Sequence, residues 1–172
     1  MTDVPMRWDF QQPARRTHYF EGRLLTAADL GQDQDYHRGM RYLGNRAVGW
    51  GVVEGLAVSI VDSRVEVGTG FAIDALGREL VLAEPVVFAS DDSCLDFGRE
   101  ALVTAMWSEE PEGVMVDATG AEQFSTWLER PIIEVRPHAQ APMLVLAGLR
   151  RGKKKGLTVD PGRQDAYRLR GL

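Results

Sequence analysis

At residues 49–51 the spacing of apolar residues changes, and this change bounds what the chain can fold into. Before it, Tyr36, Met40, Leu43, Ala47 and Trp50 step by 4, 3, 4 and 3, the a/d pattern of a helix with one apolar seam. After it, runs such as Arg64-Val65-Glu66-Val67 alternate charged with apolar residues, the period of a strand with one buried face. A chain of this kind must pack one helix against a β-domain.

The helix has a clear start. In Thr26-Ala27-Ala28-Asp29 the threonine hydroxyl can accept from first-turn amides, and the aspartate suits the positive end of the helix dipole. Aspartate stands where a capping box usually has Glu or Gln. The helix is predicted over 27–48, with Gly49 as a left-handed stop. Gly39 and Gly44 each weaken it by roughly 1 kcal/mol. Its apolar seam either lies on the protein's own sheet or meets the same seam of symmetry mates.

Strands are predicted over 52–60, 64–67, 71–73, 79–82, 102–107, 132–135 and 143–149, with one more around 167–169. Asp62-Ser63, Asp74-Ala75-Leu76-Gly77 and residues 108–113 supply turn signals, and 90–100 is polar and read as a loop. Residues 124–129 fit no single pattern. The fold class is therefore α+β, mainly β: one N-terminal amphipathic helix followed by an antiparallel β-sandwich or barrel-like domain. Four parts follow along the chain: an extended arm at 1–18, a lead-in and helix at 19–50, the β-domain at 51–150, and a basic tail at 151–172.

Composition supports a single packed core. With 172 residues, 44% hydrophobic and 26% charged, the chain is of ordinary globular make-up. No apolar run nears the roughly 18 residues a membrane helix needs, and residues 1–16 have no signal-peptide core, so a cytoplasmic protein is expected. The net charge of −5 hides an asymmetry: residues 1–149 hold 12 Arg and no Lys against 23 acids, whereas 150–172 hold 8 Lys and Arg against 2 acids. An acidic body argues against a dedicated nucleic-acid binder. The run Arg150-Arg151-Gly152-Lys153-Lys154-Lys155 holds every lysine in the chain. It reads as a hairpin tip and, through Arg150, Arg151, Lys153, Lys154 and Lys155, as a possible contact for an acidic partner.

Residues that would carry chemistry are sparse. The single cysteine, Cys94, is flanked by Asp91, Asp92 and Asp96, whose field would disfavour a thiolate. His18, His37 and His138 lack metal-ligand spacing, so no metal and no cofactor are expected. Gly49-Trp50-Gly51-Val52-Val53-Glu54-Gly55 is glycine-rich like a dinucleotide loop, but such a loop leaves a strand and opens a helix. Here the order is reversed, and the glycines are read as formers of a helix-to-strand corner. A hydrolase would need acids such as Glu54 or Glu134 to converge in a cleft. A carbohydrate- or small-ligand-binding module would need an exposed aromatic platform, with Trp107 or Trp127 as candidates.

The stretch from Tyr19-Phe20-Glu21-Gly22-Arg23-Leu24-Leu25 to Asp29-Leu30, then Gln34-Asp35-Tyr36 and Gly49-Trp50-Gly51-Val52-Val53-Glu54-Gly55-Leu56, resembles the opening of structural proteins from contractile phage tails and related injection systems. The continuation from Val65 through Gly68-Thr69-Gly70-Phe71-Ala72-Ile73-Asp74 to Gly77-Arg78-Glu79 is similar to strands of baseplate and fibre-attachment proteins. Residues 20–34 and 49–56 are also similar to the N-terminal part of the type VI secretion baseplate adaptor, a trimer, though its long helical stalk and C-terminal domain have no counterpart here. The resemblance covers about a third of the chain well. It implies a non-enzymatic structural or adaptor subunit of a phage-tail-like contractile injection particle, working by oligomerisation and protein–protein docking. A trimer is favoured, since fibres and spikes are three-fold and a short a/d seam suits a three-helix contact. The residues nominated for these contacts are Tyr36, Met40, Leu43 and Trp50, with Trp8 and Phe10 on the arm.

Overall fold

The computed structural model describes residues 13–62, 64–89, 100–151, 156–166 and 168–169. The change of periodicity is where the sequence placed it. Helix α1 runs Ala27–Val48, and strand β1, Gly49–Gly55, follows without a break. At the helix start, the Asp29 amide donates to the Thr26 hydroxyl at 3.2 Å while the Thr26 amide donates to the Asp29 carboxylate at 3.0 Å. A reciprocal capping box therefore forms with the shorter acid. Gly49 does not take the expected left-handed cap. Its φ of 164° is extended backbone, because the residue is already the first of a strand and pairs with Leu169.

The remaining strands are β2 (Val58–Val61), β3 (Arg64–Val67), β4 (Gly70–Ile73), β5 (Glu79–Leu82), β6 (Val86–Ala89), β7 (Glu100–Val116), β8 (Glu122–Arg136), β9 (Leu144–Arg151), β10 (Leu157–Asp160) and β11 (Arg168–Leu169). They form three antiparallel sheets in the orders β11-β1-β4-β5, β10-β9-β7-β8 and β2-β3-β6. The mainly β, α+β class expected from the sequence is the one observed. The tail contributes two strands, one of them at 168–169 as expected, and Asp165 stitches two sheets: it exchanges bonds with Val145 while its carbonyl accepts from Val52 at 2.7 Å.

Alternating residues of all three sheets fill one core. Leu56, Val65, Val67, Leu80, Val103, Leu144, Leu146 and Leu149 are at most 1% exposed. At about 25 cal/mol per Å² of apolar surface removed from water, such a cluster supplies the main force holding the sheets together. The expected single strand over 52–60 is two, broken at Leu56, which is fully buried at φ +53°. The break is forced by close backbone approach. A Cβ on Gly55 would lie 2.2 Å from the Thr69 carbonyl oxygen, and one on Gly70 would lie 2.4 Å from that of Glu54.

Residues 108–113 are not a turn. They continue β7 through Pro111, which faces Trp127, and the chain reverses only at 117–121. Past Ala105, β7 has lost its β9 neighbour, and a proline is tolerated where a strand has a free edge. The unassigned residues 124–129 belong to the opposing strand, β8.

The turn at 74–77 docks the helix closely on the sheets. The carboxylate of Asp74, fully buried, accepts from the amides of Leu76 (2.8 Å) and Arg78 (3.0 Å) and from Arg78 Nε (2.7 Å). That network closes the loop and leaves Gly77 at φ +85° directly beneath α1, where Asn45 Nδ2 donates to its carbonyl at 2.8 Å. A Cβ at Gly77 would stand 2.1 Å from the Tyr42 carbonyl oxygen, and at Gly44, on the exposed side of the helix, it would meet nothing within 4 Å. The two glycines therefore predict opposite signs. Gly77→Ala should cost about 2–4 kcal/mol through backbone strain and displacement of the helix, while Gly44→Ala should stabilise by about 0.5–1 kcal/mol. Urea unfolding of both variants checks this; equal effects would contradict the docking described.

Candidate functional site

The candidate contact residues are distributed over α1, and exposed apolar side chains also stand on the β7–β8 ribbon. The helix uses Gly39 and Tyr42, both buried, to face the sheets. Asn45 and Arg41 both reach Glu79, at 2.8 and 2.7 Å, and Arg38 reaches Glu109 at 3.3 Å. Burial pushes the Tyr42 phenol up from its ordinary pKa, with Glu129 adding to the effect. Tyr42 Oη, Glu79 Oε2 and Trp107 Nε1, all at this joint, are buried without a hydrogen-bond partner among the described residues.

The predicted seam lies elsewhere on the helix. At 100° per residue, Tyr36, Met40, Leu43 and Ala47 centre about 100° round from Gly39 and Tyr42. The first three are half-buried and Ala47 is exposed. Trp50 is not on the helix; it sits on β1 opposite Arg168 and is 37% exposed. The helical seam is thus four residues long, because the chain turns to extended backbone at Gly49, one residue before Trp50. Trp8 and Phe10 lie outside the described residues, as do Lys153, Lys154, Lys155 and Cys94. Arg150 and Arg151 end β9, and Leu157 on β10 pairs with Arg151, so the basic run does join two hairpin strands. Arg150 lies 3.9 Å from Glu100.

Trp107 offers no open platform: it is partly buried, with the Arg78 guanidinium 4.8 Å over its ring. Glu134 is paired with Arg136, and Glu54 is exposed on β1 opposite Phe71. Among the described residues no three His, Cys, Asp or Glu side chains gather as a metal site would require, and no helix is long and apolar enough to cross a membrane.

The ribbon is the feature the sequence reading missed. Strands of 17 and 15 residues run beyond the sheet, and apart from Asp117 every residue from 110 to 130 is exposed. Val114, Met115, Val116, Phe124 and Trp127 are each 61–66% exposed. Consecutive strand residues point to opposite faces, so Val114-Met115-Val116 makes both faces apolar. Three adjacent apolar residues followed by Asp117-Ala118-Thr119-Gly120 were the legible signal, a strand end running into a turn.

The tip is tied by Asp117. Its Oδ1 accepts from the Thr119 amide (2.8 Å), the Thr119 hydroxyl (2.6 Å) and the Ala121 amide (3.1 Å), and Oδ2 from Gln123 (3.2 Å). Hydrogen bonding from Thr119, then from Ala121 and Gln123, lowers its pKa from 3.8 to about 2. A folded-state pKa below the unfolded value means the turn is supported above pH 4 and released as pH falls through 2. Carboxyl chemical shifts from NMR should therefore titrate near pH 2. A midpoint near 3.8 would show the tip to be open.

No family model matches this chain, and no curated protein matches it by sequence. Solved structures do match in shape. A chain from the cryo-electron microscopy structure of the type VI secretion system TssK-TssF-TssG baseplate subcomplex superposes with TM-score 0.57 at 17% identity, over 87% of this chain and 60% of that one. A chain from the baseplate complex of the type VI secretion system gives TM-score 0.55 at 16% identity, over 87% and 58%. This chain thus spans about three-fifths of the length of these two chains. At such identity the shared property is the fold.

Proposed function

We propose that this protein is a non-enzymatic structural or adaptor subunit of the baseplate of a contractile, phage-tail-like injection particle, assembled in the cytoplasm. The observation that carries the reading is the likeness in shape, over 87% of the chain, to baseplate components of the type VI secretion system. The local resemblance of residues 20–34 and 49–56 to the baseplate adaptor points the same way.

The layout of the molecule supports a protein that works by docking. Its helix carries an apolar seam on a face distinct from the one held by Gly39 and Tyr42, and its ribbon carries apolar side chains into solvent. Exposed apolar surface of this extent is characteristic of protein contacts. The seam is short, and a closed ring of three copies would bury it about a common axis.

Two measurements test this reading. In solution the protein should have a mass near three times 19.1 kDa, and the double variant Met40→Asp, Leu43→Asp should fall to one copy, because each buried aspartate would leave an unpaired charge in the seam. An unchanged mass in light scattering would remove the seam from the interface. Deleting the gene in a strain that carries the contractile apparatus should abolish sheath assembly as seen by electron microscopy. Sheaths assembling and contracting normally without it would overturn the baseplate reading.

A further inference from the structure

Two constraints on the β7–β8 ribbon oppose each other, and the chain reconciles them at one position. In an antiparallel pair of strands, facing residues alternate between pairs that exchange two backbone hydrogen bonds and pairs that exchange none. An exchanging pair needs an N–H on both residues. Pro111 faces Trp127 and Pro131 faces Trp107, and proline has no N–H, so these pairs are of the non-exchanging kind. The pairs beside Pro111–Trp127, Glu110–Leu128 and Glu112–Thr126, then carry the hydrogen bonds of the ribbon's root.

At the far end the turn imposes the opposite phase. The Asp117 amide donates to the Ala121 carbonyl at 2.9 Å, and the Asp117 carbonyl accepts from the Gly120 amide at 3.0 Å. Asp117 therefore bonds across the ribbon. Yet Pro111 and Asp117 are six residues apart, and in an unbroken ladder residues an even number apart are of the same kind. The ladder must change phase between them.

Gly113 is where it changes. The pairing runs from Leu102–Arg136 to Val116–Glu122 in one register, with Gly113 and Ser125 the two facing residues left out of it. Gly113 lies at φ +66° inside a strand, a left-handed conformation that glycine adopts without penalty. A Cβ there would stand 2.4 Å from Ser125 Oγ, and the Ser125 hydroxyl donates to the Glu112 carbonyl at 3.4 Å.

We infer that Gly113 and Ser125, one unpaired residue on each strand, are a phase switch built into the ribbon. They join a root ladder fixed by its prolines to an outer hairpin fixed by its turn. The switch decides which side chains share a face. Exchanging pairs all face one side of a ladder and non-exchanging pairs the other. Pro111–Trp127 below the switch and Val114–Phe124 above it are both non-exchanging, so they share a face, the one that Glu109 turns to Arg38 of α1. In an unbroken ladder they would stand on opposite faces, since Pro111 and Val114 are three residues apart. The inference concerns how the ribbon is built and stands or falls independently of the baseplate reading.

Amide hydrogen exchange followed by NMR tests it. Below the switch, the amides of Glu110, Glu112, Thr126 and Leu128 should exchange about tenfold more slowly than those of Trp127 and Glu129. Above it the parity reverses: Met115, Asp117 and Gln123 should be slow, and Val114, Val116 and Phe124 fast. Even-numbered amides that are slow on both sides of Gly113, or no alternation at all, overturn the inference. A pair of deletions gives a second readout. Removing Gly113 alone leaves the strands unequal and should release the outer hairpin, with exchange at Met115 and Gln123 about tenfold faster while the core is unchanged. Removing Gly113 and Ser125 together leaves one continuous ladder that suits both the prolines and the turn, and slow exchange at Met115 and Gln123 should return. Without a switch, that double deletion would instead set prolines and turn out of phase, so an outer hairpin that stays released overturns the inference as well.

Discussion

The arrangement of the molecule depends on one buried carboxylate. Asp74 satisfies two amides and an arginine at once, and a buried charge is tolerated only when so compensated. The closed turn that results sets Gly77 against the backbone of α1 and turns the Arg78 guanidinium over Trp107. Helix, β5 and the root of the β7–β8 ribbon are thereby oriented together. The direction in which the helix and the ribbon leave the body is set at this joint, away from either element's free end.

From that joint, the exposed surfaces have a mechanical logic. Gly39 and Tyr42 are taken up in holding the helix, and the stripe of Tyr36, Met40, Leu43 and Ala47 lies on another side of α1. The ribbon leaves the sheet where β9 stops pairing with β7, and from residue 110 to 130 all but Asp117 are exposed. Rigid elements reaching out from a well-packed core suit a part that must hold its place in a larger assembly, where pre-organised contacts avoid the cost of ordering on binding.

Much of this could be read along the chain. The helix limits, the Thr26–Asp29 capping box, the corner at Gly49, and the turn at 74–77 all depend on interactions within a few residues, which local composition encodes. The misreadings share a cause. Residues 108–113 look like a turn because Glu-Glu-Pro-Glu-Gly is a turn composition, and only pairing with residues 14 to 22 positions away makes them a strand. Trp50 fits a heptad by spacing, yet pairing with Arg168 draws it into a sheet.

The sequence by itself determined the class of fold, the start and end of its helix, the separation of an acidic body from a basic run, and the family resemblance carried by residues 19–79. These rest on periodicity, capping and composition, which are properties of neighbours in the chain. Only the tertiary structure decided which face of the helix is spent on the core, that Leu56 could be buried in a left-handed conformation, and that the β7–β8 ribbon outruns its sheet. Each of those depends on which distant strands pair and where that pairing stops, and cross-strand partners leave no local mark on the residues that will find them.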